Sequence, residues 1–189
     1  MKMKKSLIIL LVIGAIVLIG IFSSVGSYNA LVSSETEVEN KFSAIDVQLQ
    51  RRSDLIPNIV NTVKGYTTHE AAVLKSIADA RSKLAGATTP SETAAADTQL
   101  TGALSRLLVV VENYPNLKAD TQFTKLTDEL AGTENRISVA RRDYNEVVTT
   151  YNVKIRTFPT ALFASMLGFE KKPFFKGSEG SDKVPEVKF

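Results

Sequence analysis

The sequence predicts an all-α protein: an N-terminal transmembrane helix that continues into an antiparallel four-helix bundle with long first and last helices. Three observations lead there. Ser6 to Phe22 is an uncharged apolar run. Four later stretches carry apolar residues on a three-four rhythm, which is one face of an amphipathic helix. Short polar turns with helix-capping signals separate those stretches, and the one run β-branched enough to pass for a strand, Leu107 to Val111, is outvoted by the longer helical period on either side.

Thirteen of the seventeen residues from Ser6 to Phe22 are Leu, Ile, Val or Phe. The run reaches the ~20 residues of a bilayer span if Ser23, Ser24 and Val25 continue the helix. A cleaved signal peptide has an apolar stretch of only about 7–15 residues and a small-x-small cleavage site. Ser24-Val25-Gly26 is a poor version of that site, so a retained anchor over 6–25 is the expectation. Lys2, Lys4 and Lys5 precede the run, and the next basic residue is Lys41. By the positive-inside rule the 1–5 tail is cytoplasmic and the bundle extracytoplasmic.

From residue 26 onward the chain has the size of one domain with a single core. Its composition, 44% hydrophobic and 23% charged, is globular. A net charge of +3, with acids and bases interleaved, gives no reason to expect nucleic acid as a partner. With no cysteine and one histidine, a disulfide framework, a zinc cluster and a cysteine nucleophile are all excluded.

The first amphipathic helix shows Leu31, Val38, Phe42, Ile45, Leu49, Ile56, Ile59 and Val63, with Glu35 and Arg52 as polar intrusions on the stripe. Pro57 lacks an N–H and crowds the carbonyl four residues back, which predicts a kink near Ser53. Gly65 suits a helix end, and Thr67-Thr68-His69-Glu70 reads as a capping box for the second helix. That helix carries Val73, Leu74, Ile77, Ala80 and Leu84 and closes at Gly86. Thr89-Pro90-Ser91-Glu92 is another capping box, with Pro at the first helical position. The third helix shows Leu100, Leu104, Leu107, Val111 and Tyr114. Tyr114-Pro115-Asn116 interrupts the chain, and Asp120 caps the fourth helix, whose seam runs from Phe123 through Leu130, Ile137, Tyr144 and Tyr151 to Ile155. Phe158-Pro159 ends it and the bundle region, 26–159.

If the chain runs up, down, up, down, the stretch 160–176 returns to the membrane. Phe169, Lys171, Lys172, Phe174, Phe175 and Lys176 then suit the headgroup region, where rings bury and ammoniums snorkel to phosphate. The alternative is a cap over the open end of the bundle. The 177–189 tail is polar and is expected to be disordered.

No phosphate loop, nucleophile elbow or HExxH pattern occurs, so no catalytic, cofactor-binding or metal residues are assigned, and no enzyme is expected. Two clusters stand out: Arg51, Arg52 and Asp54 midway along the first helix, and Arg141, Arg142 and Asp143 midway along the fourth. Arg52 sits on the apolar stripe, where a buried guanidinium needs an anionic partner across helices or across subunits. The alternative is solvated charge whose stems cover the core. Enzymatic use of these clusters would need them to converge on a water-accessible cleft. Tyr144-Asn145 and Tyr151-Asn152 repeat one heptad apart, as packing or as a register device.

The stretch from Ile45 through Arg51-Arg52-Ser53-Asp54-Leu55-Ile56-Pro57-Asn58 resembles the signature of the LemA family. So do Val63-Lys64-Gly65-Tyr66, the stretch Glu112-Asn113-Tyr114-Pro115-Asn116-Leu117-Lys118-Ala119, and Thr133-Glu134-Asn135-Arg136 through Ala140-Arg141-Arg142-Asp143-Tyr144-Asn145. The anchor with Tyr28-Asn29 and the closing Phe158-Pro159 fit as well, so the resemblance covers the chain from the anchor to Phe175. It implies a bacterial membrane protein with a helical-bundle domain, no established enzymatic activity, and relatives associated with membrane organelle formation. Residues and resemblance together point to a self-associating scaffold or membrane organiser, with lipid and other copies of the chain as partners. The alternative is a tethered binding or sensing module for an unidentified protein or small ligand.

Overall fold

A computed structural model describes the backbone of residues 2–67 and 69–176, and the side chains of 10–12, 14, 24–67 and 69–176. Every regular element among them is helical: α1 (Lys2–Lys64), α2 (Ala71–Gly86), α3 (Pro90–Val111), α4 (Pro115–Lys118), α5 (Thr121–Lys154) and α6 (Thr160–Met166). Most side chains of the predicted anchor, and the whole predicted disordered tail, lie outside the described residues. Among the described residues no helix is long and apolar enough to cross a membrane.

The chain divides into two compact units. One comprises Met1–Glu39 with Val147–Lys172, the other Asn40–Glu146 with Pro173–Phe189.

In the second unit the predicted stripes are the core. Ile45, Leu49, Ile56, Ile59 and Val63 of α1 are buried, as are Leu74, Ile77 and Leu84 of α2 and Leu100, Leu104 and Leu107 of α3. Phe123, Ile137 and Tyr144 of α5 join them. The run from Leu107 to Val111, β-branched enough to pass for a strand, stays helical because its apolar period continues that of the preceding turns.

Pro57 does not interrupt α1. Its missing N–H leaves the Ser53 carbonyl without a helical donor, and α2 supplies a replacement. Arg81 Nε donates to Ser53 O at 3.1 Å and to Ser53 Oγ at 3.1 Å. The proline is tolerated because a neighbouring helix satisfies the acceptor it strands.

The Thr89 capping box forms as predicted: Glu92 N donates to Thr89 Oγ1 at 3.2 Å and Thr89 N to Glu92 Oε2 at 3.1 Å. The box expected at Thr67 does not. Helix α2 begins at Ala71, and its N-cap Glu70 makes no capping bond. Thr67 and Glu70 instead hold the ring of Tyr114, whose hydroxyl accepts from Thr67 Oγ1 at 3.1 Å and donates to Glu70 Oε1 at 3.0 Å. Thr67 Oγ1 also accepts from His69 N at 3.2 Å, so the segment closes a short local turn while its two side chains bind the half-buried Tyr114 hydroxyl.

Asp120 caps α5 through Oδ1, which accepts from Gln122 N and Phe123 N at 2.8 Å each; Tyr66 OH donates to its Oδ2 at 2.7 Å. The Phe123 amide above all, with the Tyr66 hydroxyl, holds this carboxyl below the usual aspartate range. A group depressed on folding stabilises above its unfolded pKa of ~3.9, and that stabilisation is lost as pH falls through the folded value. Asp120→Ala is therefore expected to lower the urea midpoint at pH 7 and to leave it closer to wild type at pH 3. An equal deficit at both pH values would rule out a charge-assisted cap.

In the first unit Leu31, Val38, Val148, Tyr151 and Ala164 are buried. Lys154 Nζ donates to Ala30 O and to Ser34 Oγ, both at 2.7 Å. Glu35, the other polar intrusion on the stripe, pairs with Lys172 at 2.6 Å. Burial pushes the Tyr151 hydroxyl up to about 12. Gly168 ends α6 with φ 79°, the left-handed residue of a Schellman turn in which Phe169 N donates to Ala164 O at 3.0 Å.

Candidate functional site

The second unit contains a buried ion cluster. Arg52 projects from the apolar stripe of α1, Asp97 from that of α3, and Glu134 and Arg141 lie two turns apart on one face of α5. Arg52 Nη1 donates to Asp97 Oδ1 at 2.9 Å and to Glu134 Oε2 at 2.6 Å. Arg141 Nη2 forms an ion pair with the other Asp97 oxygen, Oδ2. The Asp97 side chain is 0% exposed and that of Arg52 is 5% exposed.

Two guanidiniums and two carboxylates balance, so the cluster is neutral as a whole. Burial lowers the pKa of both arginines. For Arg52 the neighbouring Glu134 opposes this shift, and for Arg141 the like charge of Arg52 adds to it. Guanidinium ordinarily titrates so far above neutrality that both stay charged. Arg52 Nε and Arg141 Nε make no hydrogen bond among the described residues. The Asp97 carboxylate is sealed in the interior, whereas Glu134 is partly exposed and held by Arg52; the cluster ties three helices together.

An extended strap closes over the outer side of Arg141. Phe175 is buried, with its ring 5.0 Å from the Arg141 guanidinium carbon. This is cation–π geometry. Asn145 grips the strap by its backbone: Asn145 Nδ2 donates to Phe175 O at 3.0 Å, and Phe175 N donates to Asn145 Oδ1 at 2.9 Å. Tyr144 OH donates to Pro173 O at 2.8 Å. The first unit holds the same pattern, with Asn152 Nδ2 donating to Lys172 O at 2.9 Å and Lys172 N to Asn152 Oδ1 at 2.9 Å. The Tyr-Asn repeat is a pair of backbone clamps.

The remaining sequence-selected residues lie at the surface. Arg51 sits 3.8 Å from Glu129, and Asp143 3.7 Å from Lys41. Asp54 accepts from Gln50 Nε2 at 2.8 Å, and Arg142 is exposed. Of the two double-arginine clusters, only Arg52 and Arg141 converge. In the aromatic-basic stretch, Phe169 makes an edge contact with Tyr28 at 6.0 Å between centroids. Lys171 and Lys176 are exposed and Phe174 is half-buried.

Sequence reasoning missed Asp97 and Glu134. Asp97 had a signal: it falls on the stripe with Thr93, Leu100 and Leu104, an acid where an apolar residue belongs. The lone histidine, His69, is exposed. Among the described residues no group of three or more His, Cys, Asp or Glu side chains is placed to hold a metal ion.

The LemA family model matches residues 41–189. The match begins after the apolar run and includes the tail, whereas the motif resemblance ran from the anchor to Phe175. Protein LemA of Metamycoplasma hominis is 32% identical over 170 residues, covering 87% of this chain and 76% of that protein. Magnetosome protein MamQ 2 of Paramagnetospirillum magneticum and magnetosome protein MamQ of Magnetospirillum gryphiswaldense are each 26% identical over 181 residues. Those matches cover 82% of this chain but 66% of each magnetosome protein. Neither the family description nor any of these names denotes an enzyme. On the family match and the identity to a named member, the chain belongs to the LemA family.

Proposed function

We propose that this protein is a membrane-anchored, non-enzymatic helical module that lies against the bilayer surface and organises it. Its N-terminal apolar run spans the membrane, and the remainder forms an antiparallel four-helix bundle that self-associates on the extracytoplasmic side. The observation that carries the reading is a bare apolar patch in the first unit. Phe158 is 79% exposed and Met166 84%, with Leu162 and Leu167 beside them in sequence and also exposed.

The contact of Phe169 with Tyr28 ties this patch to α1 six residues past Phe22. That is about 9 Å along the helix from the end of the apolar run. Side chains there reach the acyl boundary, where full burial contributes about 1.5–3 kcal/mol for each large apolar residue. Exposed Lys171 adds charge for headgroup phosphate. Likeness to proteins named for the magnetosome supports an organising role.

The chain has no tryptophan, so Met166→Trp introduces a single reporter. In lipid nanodiscs its emission is expected to be blue-shifted and strongly quenched by brominated acyl chains. Water-like, unquenched emission would remove the membrane contact. The mass of the same particles reads self-association, and one chain per disc at every loading would remove that part.

A second reading rests on the apolar groove described below, which would suit a tethered module that binds a partner.

A further inference from the structure

On the second unit, the face between α3 and α5 carries an open apolar groove beside a bare apolar ridge. The groove, about 230 Å³, is walled by Leu104 and Leu107 of α3 and by Phe123 and Leu130 of α5. The ridge is Leu108, 49% exposed on the edge of the groove, and Val109, 71% exposed next to it. Their helix is otherwise well seated, with Leu100, Leu104, Leu107 and Val111 buried. A knob and a hole of like chemistry stand side by side.

Charge decides which occupant suits this face. The charged residues that line the groove are Arg52 and Glu134, and they pair with each other at 2.6 Å. The remaining polar lining is hydroxyl: Thr101 and Ser105 of α3 and Thr127 of α5. Two of these hydroxyls are spent on helix carbonyls, with Ser105 Oγ donating to Thr101 O at 2.9 Å and Thr127 Oγ1 to Thr124 O at 2.8 Å. The face offers apolar contact and shape, and no unpaired ion.

We propose that two copies of the chain meet here, with Leu108 and Val109 of each lying in the groove of the other. A two-fold contact brings one patch onto itself. Two chains anchored in one bilayer are related by an axis along its normal, so every residue lies level with its own counterpart. A charge near that axis would face its like, which the hydroxyl-bearing edge avoids. A ridge level with the groove beside it lets each copy fill the other. The proposal rests on the self-association in the reading above and names the surface that carries it. A contact centred on two apolar side chains per copy is weak between freely diffusing molecules. Anchoring in a common bilayer offsets this by raising the effective concentration.

Because the chain has no cysteine, a single introduced one is unique. Ser105→Cys places it on the edge of the groove. The control is Val47→Cys, since Val47 is exposed on α1 and is not among the groove residues. In the full-length protein in phosphatidylcholine vesicles, a short bismaleimide is expected to link Ser105→Cys into dimers at least about tenfold faster than Val47→Cys. Adding Leu108→Glu should abolish that advantage, and adding Val109→Glu, outside the groove walls, should reduce it several-fold. Melting curves confirm that each variant folds. Equal rates for the two single cysteines would overturn the proposal, and so would an advantage that both glutamates leave intact. Equal rates with extra mass on the purified chain in native mass spectrometry would overturn it in favour of a foreign ligand in the groove. The number of chains per nanodisc separates the two levels of failure. Several chains per disc with equal cross-linking rates would keep self-association and move it to another surface, whereas one chain per disc at every loading would remove both.

Discussion

Asp97→Ala is expected to cost about 3–5 kcal/mol of unfolding free energy, the loss typical when one partner is removed from a buried charge cluster. The reason is what it leaves behind. Arg52 remains buried with only the half-exposed Glu134, and Arg141 loses its carboxylate altogether. Against the ~5–15 kcal/mol that holds an ordinary domain folded, the loss is severe. Replacing the whole buried set is a different experiment. Asp97→Leu combined with Arg52→Met and Arg141→Met removes the desolvation cost along with the attraction, and is expected to recover most of the stability. Urea titrations of both proteins check the pair of outcomes. A single-variant loss below about 1 kcal/mol, the range of a surface pair, would show that the cluster is effectively solvated. Arg52→Ala is correspondingly a poor probe of subunit contacts, because Arg52 serves the interior of its own chain.

Phe175→Ala is expected to cost about 3 kcal/mol, at the low end for a buried phenylalanine because the strap can peel away and leave no closed cavity. Its signature is local. Trypsin cleavage after Lys176 should accelerate markedly while far-ultraviolet circular dichroism stays helical, since the helices keep their own hydrogen bonds. Asn145→Ala should give a smaller loss, about 1–3 kcal/mol, by leaving the Phe175 amide and carbonyl unpaired. Cleavage at the wild-type rate in Phe175→Ala would mean that the ring does not hold the strap.

The helices were legible because their signals are local and mutually consistent. The stripe from Leu31 to Val63, the Thr89 capping box and the Asp120 cap are each read within a few residues, and the structure uses each. What the sequence hid was tertiary. Thr67 and Glu70 form a sound capping pattern, yet the Tyr114 hydroxyl, more than forty residues away, claims both. Arg52 announced itself as a charge on an apolar stripe, but nothing local ranked its candidate partners. Asp97 carried the same kind of signal on α3 and was masked by its small neighbours Ala94 and Ala96. The strap has no period at all, so only the Tyr-Asn repeat hinted that α5 holds something beyond another helix.

The asparagine clamps bear on how freely the strap can change over evolutionary time. Asn145 and Asn152 address the main chain of Phe175 and Lys172, a feature that every residue type shares except proline, which has no amide hydrogen to donate. The clamps are therefore blind to the letters they hold. At the exposed strap positions, such as Lys171 and Lys176, the sequence can drift or exchange charge while the seat stays occupied, provided the two asparagines and the buried Phe175 ring remain. An element recognised by its backbone is one on which new surface chemistry can be tried without first solving the problem of where it will lie.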